Sequence, residues 1–214
     1  VKRFAVLLRV VFSQEKLDVP GPAIFLDRDG VINCRRPGDY VLSWQQFSFT
    51  PGIETALRQC STLRLPMIVI SNQACVGKGL LDPSLLQEIT TKMQESLRQK
   101  GVRIAAVYYC IHQSSDNCNC RKPKPALLLK AADDYNIDLS RSVFIGDSDT
   151  DVEAGLEAGC KPVLFASTPC AGYDYAPLKR HIPIARTAEE LFDALVKCLR
   201  GIGGHASDGD SVPG

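Results

Sequence analysis

The chain has 214 residues, 45% of them hydrophobic and 23% charged, with a formal net charge of +1. That is enough for one sizeable core, and the balanced charge gives no basic excess to hold nucleic acid. No uninterrupted apolar run is long enough to span a bilayer, so neither a nucleic acid nor a membrane is expected as a partner.

Residues 1–20 read as an N-terminal extension, mixed apolar and charged, that ends at Pro20-Gly21-Pro22. Lys2-Arg3 resembles the start of a leader, but Arg9 breaks the apolar stretch and no small-residue cleavage site follows. Residues 23–26, Ala-Ile-Phe-Leu, have the pattern of a buried parallel strand. The strand stops at Asp27, and Arg28, Asp29 and Gly30 follow. Alternation along an extended chain turns Asp27 and Asp29 to one spot and Arg28 away from it. Gly30 permits the turn.

A polar loop at 34–46 holds Arg35, Arg36, Tyr40 and Trp44. Thr50-Pro51-Gly52 then reads as an N-cap with proline in the first helical position, before the stripe Ile53, Ala56, Leu57, Cys60 and Leu63. A second strand at 66–70 ends in Ser71-Asn72. Asp82-Pro83 opens a long helix with Leu85, Leu86, Ile89, Met93 and Leu97 on its apolar face, closing at Gly101. A third strand at 103–110 runs into a Cys/His cluster. Pro125 starts a helix carrying Leu127, Leu128, Leu129, Ala131 and Ala132. A fourth strand at 143–146 ends at Asp147, a short helix at 151–158 is closed by Gly159, and a fifth strand occupies 161–166. The last helix begins at Thr187, with Glu190 completing a capping box. The Gly/Ser/Asp tail, 201–214, is expected to be disordered.

Strands alternating with helices define an α/β class: a Rossmann-like parallel sheet covered on both faces, in a domain spanning 21–200. Sites in such sheets lie beyond the carboxyl ends of the strands. Here those ends carry Asp27 and Asp29, Ser71 and Asn72, and Asp147. A carboxylate can attack a phosphoryl group, and a cluster of carboxylates needs a cation such as Mg2+. Ser71 and Lys122 can bind phosphate oxygens, and Asp29 is placed to move protons.

The chain has nine cysteines. Cys110-x-His112 and Cys118-x-Cys120, with five residues between the pairs, supply three thiolates and an imidazole, a closed tetrahedral set for a structural Zn2+. Such a site would knot the loop that delivers Arg121 and Lys122. The six scattered cysteines are read as free, which implies a reducing, cytoplasmic setting. Gly77-Lys78-Gly79 lacks the flanking pattern of a nucleotide P-loop.

The motifs Phe25-Leu26-Asp27-Arg28-Asp29-Gly30, Val69-Ile70-Ser71-Asn72-Gln73, Arg121-Lys122-Pro123-Lys124-Pro125 and Ile145-Gly146-Asp147 resemble the haloacid dehalogenase superfamily of phosphatases. More closely, the chain resembles its heptose bisphosphate and histidinol-phosphate phosphatases. The resemblance implies Asp27 as nucleophile and Asp29 as general acid/base, with Mg2+ on Asp27, the Asp29 carbonyl and Asp147. It puts Ser71 and Lys122 on the transferring phosphoryl, Asn72 and Arg121 near the substrate, and no large cap domain over the site. Asp151 is read as metal support or as a helix-start residue. The substrate class is a small phosphorylated metabolite. A heptose 1,7-bisphosphate is favoured by Asn72-Gln73 running into residues 76–79. Histidinol-phosphate is the alternative, since the segment between His112 and Cys118 is short. A catalytically silent sugar-phosphate binder is a further reading, and a monomer is expected.

Overall fold

In a computed structural model of the chain, residues 7–11, 16–36, 39–167 and 182–201 are described. The tail beyond residue 201, Cys170, His181 and His205 lie outside them. The strands are β1 (Leu7–Val11), β2 (Ile24–Leu26), β3 (Met67–Asn72), β4 (Ala106–Cys110), β5 (Val143–Gly146), β6 (Lys161–Phe165) and β7 (Ile184–Ala185). The helices are α1 (Ile53–Ser61), α2 (Ala74–Gly77), α3 (Pro83–Gln99), α4 (Ala126–Tyr135), α5 (Asp149–Ala158) and α6 (Ala188–Arg200). One seven-stranded sheet has the order β1-β4-β3-β2-β5-β6-β7. β2 lies between β3 and β5, so the chain turns from one half of the sheet to the other beside it.

Side-chain alternation builds two cores. Ile24, Leu26, Met67, Val69, Val107, Tyr109, Val143 and Ile145 face α1, α3 and α6. Phe25, Ile68, Ile70, Tyr108 and Phe144 face α4 and α5 on the other side. Every residue of β2, β4 and β5 is buried, which is why these strands read as continuous apolar runs.

Several local expectations are corrected. α1 begins at Ile53, and its N-cap is Gly52 in the left-handed conformation (φ 77°), two residues after Thr50. β4 starts at Ala106 rather than 103. Leu85 and Leu129 lie on the solvent side of their helices. At α6 the Thr187 hydroxyl oxygen accepts from the Glu190 amide, but the Glu190 carboxylate accepts from Arg186 N–H, one residue before the box would require.

Part of the expected N-terminal extension contributes a strand. β1 pairs antiparallel with β4, the exception in a sheet whose other pairings are parallel. Its Arg9 is 3.3 Å from Asp134 on α4 and lies over the rings of Tyr108 and Tyr135. Tyr108 donates its hydroxyl proton to Asp134 (2.7 Å), which also pairs with Lys130. Burial works against the Asp134 charge, but the hydrogen bonds from Lys130 and Tyr108, with the charge of Arg9, hold its carboxyl below the usual range. Asp134→Ala should therefore lower unfolding free energy by about 1–3 kcal/mol in urea at neutral pH, because it strands a half-buried hydroxyl. The folded value lies below the unfolded one, so the difference should be complete above about pH 4 and fade as pH falls further.

Candidate active site

The site forms where three adjacent strands end. The β2–β5 ladder runs on to the Asp27 amide, which donates to Ile145 O (2.8 Å) and fixes the backbone of the first acidic residue. Asp27, Asp147 and Asp151 bring carboxylate oxygens within 4.8 Å of one another, and all three residues are buried. Lys122 closes the cluster. Its side chain is 2% exposed, and its ammonium pairs with Asp27 Oδ1 (2.9 Å) and Asp151 Oδ1 (2.6 Å) and donates a hydrogen bond to Ile70 O (2.9 Å).

Asp151 has the helix-start role, as the third residue of the capping box that opens α5. Its Oδ2 accepts from the amides of Asp147 and Ser148 at the start of α5, and its Oδ1 meets Lys122. Two glycines make the convergence possible. A Cβ on Gly30, which has φ +93°, would lie 1.9 Å from Asp147 Oδ2, and one on Gly146 would lie 2.1 Å from Asp151 Cβ.

The charges are crowded. Burial pushes Asp27 up to about 6, helped by Asp151 and Asp29 and opposed by Lys122. Burial, Asp151 and Asp27 push Asp147 up to about 8, against Arg35 and Lys122. Asp147 Oδ2 takes a 3.0 Å contact from Arg35, while its buried Oδ1 has no donor. An oxygen-rich cluster short of positive charge, with a buried acceptor to spare, suits a small hard cation.

Asp29 and Arg28 depart from simple alternation, because the chain leaves the extended conformation after Leu26. Arg28 is 1% exposed and binds Asp29 through Nε and Nη2, with its guanidinium over the Tyr109 ring. The Asp29 carboxylate also accepts from Asn33 (2.9 Å) and from Gln73 Nε2 (2.6 Å). Burial alone would raise Asp29, but the Arg28 charge and these hydrogen bonds hold it below the usual range. Its carboxylate thus faces Arg28 and Gln73 rather than the three-carboxylate cluster.

Gln73 stands in a quoted motif, but the sequence reading gave it no role in the site. It joins Arg28, Asp29 and Ser71 Oγ (3.2 Å), and its place two residues beyond Ser71 was the available signal. Asn72 has a structural contact beside its expected place near the substrate. Its amide donates to Lys122 O (3.2 Å) and accepts from Lys122 N–H (3.1 Å), so it latches the Lys122 backbone. Arg121 Nη1 reaches His112 O at 3.5 Å.

The second cluster assembles as its spacing requires. The sulfurs of Cys110, Cys118 and Cys120 are 3.4–3.6 Å apart, and His112 Nδ1 is 3.7 Å from Cys110 Sγ and 3.2 Å from Cys120 Sγ. A disulfide needs about 2.05 Å. The edges of a tetrahedron with metal–sulfur bonds of about 2.3 Å are about 3.7 Å, so the four donors fit a metal ion. Cys110 ends β4 beside Asn72, and Cys120 directly precedes Arg121.

Comparisons with known proteins match this geometry. Residues 119–176 match the family described as HAD-hydrolase-like. A D-glycero-beta-D-manno-heptose-1,7-bisphosphate 7-phosphatase of Helicobacter pylori is 41% identical over 140 residues, 65% of this chain and 79% of that protein. The chain belongs to the haloacid dehalogenase superfamily of phosphatases. A D-glycero-alpha-D-manno-heptose-1,7-bisphosphate 7-phosphatase of Campylobacter jejuni is 35% identical over 64% of this chain and 77% of its own. The crystal structure of a D,D-heptose 1,7-bisphosphate phosphatase from B. bronchiseptica, complexed with magnesium and phosphate, superposes with a TM-score of 0.74. It is 28% identical, over 82% of this chain and 98% of that one. Among the described residues no helix is long and apolar enough to cross a membrane.

Gly30→Ala should cut phosphatase turnover by about 100-fold or more while leaving the far-ultraviolet circular dichroism unchanged, because the added methyl group must displace the Asp147 carboxylate.

Proposed function

We propose that the chain hydrolyses the 7-phosphate of a D-glycero-D-manno-heptose 1,7-bisphosphate through an aspartyl-phosphate on Asp27. The observation that carries the chemistry is the buried contact of Lys122 with Asp27 at the mouth of the β2–β3–β5 strand ends. Asp27 attacks phosphorus and the bond to the sugar oxygen breaks, with Asp29 giving that oxygen a proton. In the second step Asp29 takes a proton from water, which attacks phosphorus and releases phosphate from Asp27. The low Asp29 value suits the proton-accepting step. For the donating step the carboxyl has to take up a proton and turn from Arg28 and Gln73 toward the substrate.

Lys122 and Ser71 hold the transferring phosphoryl oxygens, and Arg121 supplies a further cation at the rim. Asn72 acts on the phosphoryl indirectly, through the Lys122 backbone. Asp27, Asp147 and the Asp29 carbonyl would hold Mg2+, which supplies charge neutralisation on the phosphoryl group. Cys110, His112, Cys118 and Cys120 would hold Zn2+ as a closed structural knot that fixes Arg121 and Lys122. The names of the relatives favour the heptose substrate, and they include both anomers. The short segment between His112 and Cys118 favours histidinol-phosphate as the second reading.

Initial rates of phosphate release on both substrates decide between them. The heptose bisphosphate should be preferred, turnover should need added Mg2+, and Asp27→Asn should abolish it. Equal rates for wild type and Asp27→Asn would sink the nucleophile assignment. Cys118→Ser should release stoichiometric zinc by atomic absorption and lower activity by about 10-fold or more.

A further inference from the structure

A cavity lies at the end of the sheet opposite the acidic cluster. β7 pairs only with Leu164 and Phe165, so among the described residues the first half of β6 has no strand on its outer side. The notch this leaves is a cavity of about 450 Å³, lined in part by the last turns of α5 and α6. Strand direction separates it from the acidic cluster. Asp27 and Asp147 follow the carboxyl ends of β2 and β5, whereas Lys161, in the cavity wall, opens the parallel strand β6. α5 spans the gap: Asp151 near its start belongs to the cluster, and Leu156 near its end lines the cavity.

The wall at this sheet edge is free of unpaired donors. Amides along β6 alternate, with Lys161 N–H donating to Ser142 O on the β5 side and Leu164 N–H to Pro183 O on the outer side. Position 162 therefore faces outward, into the notch, and a proline there has no N–H to strand. Pro183 in the opposite wall has none either. Leu156, Cys160 and Cys198 add further apolar surface.

Two ammonium groups belong to this lining. Lys161 Nζ donates to Cys198 O (3.3 Å) near the end of α6, and an ammonium has donors to spare for another acceptor. Lys197, the residue before Cys198, is exposed. Neither lysine, even Lys197 with Asp193 one turn before it, has a carboxylate within 4.0 Å among the described residues. An apolar molecule with an anionic head would gain from leaving water for these walls while keeping its charge paired. The volume suits a small organic ligand, whose pockets run from about 300 to 1,000 Å³.

We infer that this cavity is a second ligand site, separate from the phosphatase site, for a small organic anion. Its apolar body sits against Pro162 and Pro183, and its acidic group lies between Lys161 and Lys197. The inference does not depend on which phosphate ester the chain hydrolyses.

The probe is anilinonaphthalene sulfonate, an apolar anion whose fluorescence rises when it leaves water. The full chain should bind one equivalent saturably, and the uncharged phenylnaphthylamine should bind about tenfold more weakly. Lys161→Met and Lys197→Met should each weaken the sulfonate about tenfold and leave the neutral compound unaffected, and arginine at either position should restore most of the loss. Leu156→Asp, at a position already open to water, should abolish sulfonate binding. Loosely packed states bind the same dye, so far-ultraviolet circular dichroism and the thermal midpoint of each variant are measured alongside and should match wild type. Saturating inorganic phosphate with Mg2+ should leave the dye bound. Displacement by phosphate would place the probe at the phosphatase site and overturn the inference. Equal affinity for the charged and neutral compounds would overturn it too, as would unchanged sulfonate binding in Leu156→Asp.

Discussion

One desolvated ammonium organises this site. Lys122 is buried among two carboxylates and a main-chain carbonyl, and a charge taken out of water costs several kcal/mol unless such partners replace its hydration. Its partners come from the end of β2, from β3 and from α5, so the ammonium can be buried only after these elements have converged. The Asn72 latch fixes its backbone, and the Cys/His cluster, a candidate metal site, lies just before it in the chain. The same ammonium leaves a net surplus of negative charge, and the raised values of Asp27 and Asp147 are the signature of that surplus.

Much of this was legible in the chain. The buried strands announced themselves as apolar runs, and the residues that end them are the residues of the site. The four metal-binding donors were readable because two close pairs joined by a short polar loop can hardly avoid meeting. Elsewhere the physics is non-local. Nothing in Leu7–Val11 distinguishes an edge strand from a leader, because its partner, β4, lies about a hundred residues away. β7 has two residues, too few for a period. The fate of Arg28 depended on the chain turning at Asp27, and period-two reasoning ends where the strand does.

Asn72 and Gln73 illustrate a different limit. Motif reading places both at a strand end, but their partners decide what they do. One spends both halves of its amide on the Lys122 backbone, and the other bridges Arg28, Asp29 and Ser71. Among the described residues between Asp29 and Ser71, and again between Ser71 and Lys122, the chain forms loops, short turns, core helices and strands of the sheet instead of a separate covering domain. Around the site the loops are tied to one another by the Lys78–Tyr40 contact and to the acidic cluster by Arg35.

The antiparallel strand β1 has an effect away from the chemistry. Without it, β4 would be the edge of the sheet and would offer its unpaired backbone groups to any extended chain nearby. With it, the edge of the sheet among the described residues is a five-residue strand with a cation, Arg9, at its centre, 3.3 Å from Asp134. A short edge with a charge in the middle is a poor template for further strand addition. The antiparallel strand thus bears on how the edge of the sheet meets other chains, a colloidal property separate from catalysis.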